Sequence, residues 1–120
     1  MSLHTAVSLT LDGSGGAGTY FSAAFRVDGS PQRMGAQVKR KTGTGTVLVT
    51  LQGGWSDSVA ATATDWADLN LLTAAIGTAQ LTELKTAGGD SYIFATFPFY
   101  RLKFVVATAA ATAAAHVEFF

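Results

Sequence analysis

Cysteine is absent from the 120 residues, so no disulfide and no thiolate metal site can be built. That absence fits any compartment. Charge is also scarce: charged residues make up 13% of the chain, about half the ~25% of ordinary globular domains. The formal net charge is zero, which argues against electrostatic binding to nucleic acid or an anionic membrane. No apolar run approaches the ~20 residues that cross a bilayer. The start, Met1-Ser2-Leu3-His4-Thr5, has no basic segment followed by an apolar stretch, so no signal peptide is expected. The expectation is a soluble, single-domain protein made in a cytoplasm.

Catalytic signatures are missing as well. The two histidines, His4 and His116, lie near the ends of the sequence, and no Gly-x-Ser-x-Gly elbow accompanies them. His116, beside Glu118, reads as an outward side chain on a strand. Residues 12–18 are rich in glycine but lack the Lys-Ser/Thr of a phosphate-binding loop, and read as a surface loop. Asp57, Asp65 and Asp68 do not follow the order of an EF-hand and are expected to be surface carboxylates. No enzyme, cofactor or metal is expected.

What is present is alternation. Val47, Val49 and Leu51 fall on one side of a period-2 strand, with Thr46, Thr50 and Gln52 on the other. Val7, Leu9 and Leu11 alternate with Ser8 and Thr10. Residues 20–27 predict a strand with Phe21, Ala23, Phe25 and Val27 inward. Residues 66–72 predict another, with Trp66 as a core plug rather than a sugar-stacking platform. Residues 74–77 read as a turn or short helical piece. Residues 80–86 read as a strand, although Leu81 and Leu84 also match one helical turn. Residues 91–97 predict a strand ended by Pro98. Along residues 99–107, Tyr100, Leu102, Phe104 and Val106 point inward, while Arg101 and Lys103 point out. The alanine-rich tail reads as the return arm of a hairpin turning near residues 109–111. Its last strand, 113–120, docks Val117 and Phe119 in the core and leaves Phe120 at a rim. Eight or nine short strands predict an all-β antiparallel β-sandwich, jelly-roll-like.

Residues 33–41 concentrate Arg33, Lys39, Arg40 and Lys41, half of the eight basic residues. Two readings stay open: a basic edge facing an acidic partner, or lysines that discourage edge-to-edge pairing.

The segments Val47-Leu48-Val49-Thr50-Leu51-Gln52-Gly53, Trp66-Ala67-Asp68-Leu69 and Tyr100-Arg101-Leu102-Lys103-Phe104 together resemble a pattern in small structural proteins of tailed bacteriophages. The same pattern resembles the discoidin-type (galactose-binding-like) jelly roll. The similarity covers roughly the C-terminal two-thirds of the chain. Here Gly54-Trp55-Ser56-Asp57-Ser58 replaces the Ser-x-Asp-Gly turn of that pattern, and a longer insertion precedes Trp66, so no ligand loop is carried over. The resemblance implies a virion structural protein, first of all a capsid decoration protein bound to the major capsid protein or another virion protein. A homo-oligomer, with a trimer favoured, suits a weakly charged exterior covered by neighbours. The contact candidates are Ser2, Leu3, His4 and Thr5, the basic residues above, and the tail with His116 and Phe120. The alternative is a carbohydrate- or receptor-binding module of a tail or baseplate, with Trp55 and Tyr20 as exposed aromatics. A head-tail connector or tail-tube subunit is the third.

Overall fold

Period-2 alternation dominates the sequence, and the chain forms strands wherever it holds. The structure, a computed structural model, describes residues 5–27, 34–55, 66–77, 80, 82–83 and 97–119. These form β1 (Thr5–Gly13), β2 (Gly18–Phe21), β3 (Phe25–Arg26), β4 (Met34–Gly43), β5 (Val47–Gly54), β6 (Trp66–Ile76), β7 (Thr82–Glu83), β8 (Phe99–Val106) and β9 (Ala111–Phe119). All pairings are antiparallel, and no helix occurs among the described residues. One sheet has the order β1-β9-β4-β7; the other has β2-β8-β5-β6, with β3 also on β8.

The pairing pattern is that of a long hairpin rolled on itself. β1 meets β9, β2 and β3 meet β8, β4 meets β7, and β5 meets β6. Rolling then joins β9 to β4 and β8 to β5. With β2 and β3 taken as one interrupted strand, this is the eight-stranded jelly roll of two facing sheets. The core between the sheets takes alternate residues of each strand: Leu9 and Leu11, Val47, Val49 and Leu51, Leu102, Phe104 and Val106, then Val117 and Phe119.

Several expectations change. Residues 20–27 are not one strand. Five steps from Tyr20 to Phe25 oppose four steps from Phe104 to Tyr100, so one residue bulges out. The buried Ser22 fills the gap: its hydroxyl accepts from Leu102 N at 2.9 Å and donates to Ala23 O at 3.0 Å. The bulge resets the alternation, which turns Tyr20 inward and Phe21 outward. Residues 74–76 continue β6 because Ala74, Ala75 and Ile76 pair with Val49, Leu48 and Val47. Gly53 and Gly54 are the last residues of β5.

The tail is a strand, but it does not return beside β8. Both edges of β8 are occupied, by β2 and β3 on one side and β5 on the other, so β9 crosses to the first sheet and inserts between β1 and β4. β4 is consequently not an edge along β9, and its lysines do not guard one there. Lys41 is the extra residue of a bulge between Arg40 and Thr42. Gly43 follows at φ +90°, where an added Cβ would overlap Ala110 of the crossing segment, so only glycine fits. Of residues 80–86, only Thr82–Glu83 is a described strand. The strand expected over 91–97 lies outside the described residues except Phe97, which precedes β8.

Phe104 is fully buried on β8, whereas Leu48 on β5 is 46% exposed. Phe104→Ala is expected to cost about 3–5 kcal/mol, and Leu48→Ala less than about 0.5 kcal/mol. Urea denaturation of both variants checks this, and equal losses would contradict the inward assignment of β8.

Candidate functional site

The motif residues singled out in sequence converge on one outer face. Gln52 on β5 stands in register with both Arg101 on β8 and Asp68 on β6. Arg101 Nε donates to Gln52 Oε1 at 2.7 Å, and Gln52 Nε2 donates to Asp68 Oδ1 at 2.7 Å. Lys103 Nζ closes the chain on Asp68 Oδ2 at 2.7 Å. Strand parity puts all four on the side away from the core, as expected for Arg101 and Lys103. The expectation missed that Arg101 is only 2% exposed there. Its guanidinium lies 3.9 Å from the Phe21 ring centroid and 4.3 Å from that of Trp66. Two aromatic faces replace water over the cation. Trp66 is therefore buried as expected, but outside the second sheet, because it pairs with Gly54 and shares the parity of Asp68.

Electrostatics hold this face together. The hydrogen bond from Lys103 is the main reason the Asp68 carboxyl sits below the usual aspartate range, with burial opposing it. Burial pushes the Arg101 guanidinium down, and Asp68 partly restores it. Lys103 pairs with Asp68, and Gln52 links that pair to Arg101, so the four side chains brace the outer face of three neighbouring strands.

The rim beside it is different. β5 ends at Gly54, and the next residue, Trp55, is 75% exposed. Its indole meets the edge of Phe97, with centroids 5.9 Å apart. Phe97 contacts Tyr100 at 6.4 Å, Tyr100 contacts Phe119 at 4.8 Å, and Phe119 contacts Phe25 at 6.0 Å. Phe97 N also donates to Tyr100 Oη at 3.1 Å. A chain of rings thus runs from the exposed indole into the core and across to the first sheet. Phe97 reaches this position by lying on Gly53, where any Cβ would overlap its ring. Thr5 pairs with Phe119, so β1 begins and β9 ends at this same rim.

The other candidate residues scatter. Ser2, Leu3, His4, Arg33 and Phe120 lie outside the described residues, as do Asp57 and Asp65. Tyr20 is half-buried: it stacks on Phe104 at 5.3 Å and donates to Gly16 O at 2.8 Å. Arg40 donates to Gly45 O at 3.2 Å and Gly77 O at 2.8 Å, which ties the β4–β5 turn to the end of β6. Lys39 and Lys41 line the outer face of the first sheet with His116. There His116 has Ser8 Oγ at 3.2 Å from Nδ1 and Glu118 Oε1 at 3.0 Å from Nε2. The order hydroxyl–imidazole–carboxylate matches a catalytic triad. The three side chains lie on the outer face of the first sheet, where β1 is the outermost described strand.

No family model matches the chain, and no curated protein matches it. Solved structures share its fold. PirA is similar at 12% identity and TM-score 0.54, covering 96% of this chain and 93% of its own. The PBSX exported protein XepA is similar at 9% identity and TM-score 0.56; this chain is covered over 98% but spans only 36% of XepA. The CBM36-1 domain of a multidomain xylanase from the hindgut metagenome of Trinervitermes trinervoides is similar at 8% identity and TM-score 0.51, with 98% and 97% covered. At these identities the likeness is one of fold.

Two predictions follow from this geometry. Gly53→Ala is expected to displace Phe97, cost about 1–3 kcal/mol and shift the Trp55 resonance in 19F NMR of fluorotryptophan-labelled protein more than that of Trp66. An unmoved Trp55 signal would separate the indole from the ring chain. Asp68 has a lowered folded pKa, so its contribution is fully present above the ordinary aspartate value of about 3.9. It is lost as pH falls below that value and through the lowered one. Thermal melts of Asp68→Asn against the parent protein should converge in acid and separate above about pH 4.

Proposed function

We propose that this chain is a non-enzymatic virion structural protein, a capsid decoration or stabilising protein of a tailed phage that docks on the head shell. The observation that carries the reading is the rim: a rigidly supported, exposed Trp55 lies where β1 begins and β9 ends. Trp is over-represented among residues that dominate binding energy at protein interfaces, and a side chain ordered beforehand loses little entropy on docking. The low charge of the chain supports close contact with neighbours, since few ions must leave water. The jelly roll is used by viral capsid domains and lectins alike, so it is compatible with the reading without selecting it. In this proposal residues 2–5 and the end of segment 113–120 join Trp55 at the contact. The soluble form is a trimer, and the major capsid protein is the first partner.

Light scattering of the purified protein, with and without empty capsid shells, tests the proposal. A discrete trimer that co-sediments with shells is expected. Trp55→Ala and deletion of residues 2–5 should each weaken attachment at least tenfold while leaving the thermal melt in place. A monomer that ignores shells would remove the assignment.

A second reading rests on the same indole. An exposed Trp on a fold shared with a carbohydrate-binding module also suits stacking against a sugar ring. A glycan screen decides between them: a hit that disappears in Trp55→Ala moves the protein to carbohydrate binding.

A further inference from the structure

The outer face of the first sheet has a feature independent of the rim. In register across β1, β9 and β4 stand the rows Ser8–His116–Gln37 and Thr10–Ala114–Lys39. Ala114 carries the smallest side chain among these, so the surface dips at its position and leaves an open groove of about 360 Å³. Lys41, pushed out by the bulge, adds a second ammonium group to its lining. Neither Lys39 nor Lys41 makes an ion pair among the described residues. Two acidic residues neighbour the groove: Glu118, held by His116 at 3.0 Å, and Glu83, which pairs with Gln37 in the β4–β7 register. Asp12, farther along the same face, accepts from Ser14 N at 3.0 Å.

The groove therefore has two cations without an ion pair among the described residues, the hydroxyl of Thr10 and the amide of Gln37, and no carboxylate among its lining residues. In a chain with only eight basic residues, that is a local excess of positive charge on a neutral protein. We propose that this groove binds the carboxylate side chains of an acidic protein segment. Charge complementarity selects an anion. The extent of the groove favours a segment over a small ion: it crosses β1, β9 and β4, and its two ammonium groups stand two residues apart on β4, which suits carboxylates spaced along a chain. His116 stands at one side of the dip, fixed between Ser8 and Glu118, and limits which approach an incoming chain can take.

Tetraglutamate is a suitable probe, with tetraglutamine and inorganic phosphate as comparison arms, read by amide NMR shifts of the isotopically labelled protein. Tetraglutamate is expected to give saturable shifts at Ser8, Lys39, Ala114 and His116, and tetraglutamine none. The shifts should vanish when salt is raised to about 0.5 M, where screening extends over only a few ångströms. Affinity should fall roughly tenfold in K39Q/K41Q, whose unchanged spectrum away from the groove reports an intact fold. No shifts, or shifts that persist in K39Q/K41Q, overturn the proposal. Phosphate binding as tightly as tetraglutamate overturns the acidic-segment assignment and leaves a small-anion site. None of these outcomes depends on capsid shells, so the rim reading stands or falls separately.

Discussion

β8 is the strand that leaves the rest of the chain few choices. It is hydrogen-bonded along both edges, to β2 and β3 on one side and to β5 on the other. Tyr100, Leu102, Phe104 and Val106 are fully buried on its inner face, and Arg101 is covered on its outer face. A strand with both edges and both faces occupied cannot accept a hairpin partner from the residues that follow it. β9 must therefore cross to the facing sheet, and its crossing converts a meander into a jelly roll. The small inward side chains Ala111, Ala113 and Ala115 then let β9 lie close over the core between β1 and β4.

The strands that alternate cleanly were legible in the sequence: residues 5–11, 46–52 and 99–106 all face the way their period-2 pattern predicts. So was the end of the tail, where Val117 and Phe119 reach the core. What escaped was a matter of counting and of partners. A bulge adds one residue and reverses the faces on one side of it relative to the other, so a single pattern over residues 20–27 had Phe25 and Val27 inward correctly and Phe21 and Ala23 wrongly. The partner of β9 depends on which edges remain open elsewhere, and a local pattern carries no such information. Arg101 is a third kind of miss. A charge at an outward position reads as solvated, and only the Phe21 and Trp66 rings brought over it by other strands reverse that. The retrievable signal was the outward parity of Gln52, Arg101 and Lys103 on their own strands; that they share one face with Asp68 depends on strand register, which a local pattern does not carry.

The candidate sites divide by how their charges are used. On the second sheet, Arg101, Gln52, Asp68 and Lys103 consume one another's hydrogen-bonding capacity, and the arrangement stiffens the sheet from outside. Removing one member leaves the others wrongly partnered, so its role is structural. On the first sheet, Lys39 and Lys41 make no ion pair among the described residues. The mutually paired polar groups and these lysines are thus on opposite outer faces of the sandwich.

That division bears on how the molecule meets a partner. The rim carries one large exposed aromatic, Trp55, which is in contact with a chain of rings through Phe97, Tyr100 and Phe119. An aromatic contact of this kind supplies affinity with little dependence on salt, whereas exposed lysines supply orientation and rate with a strong dependence on it. Because Phe119 ends β9 and Lys39 pairs with Ala114 earlier on that strand, one strand connects both surfaces. A partner that engaged rim and groove together would span β9 from its middle to its end. The crossing that β8 forces on the chain is what places β9 where it can serve both.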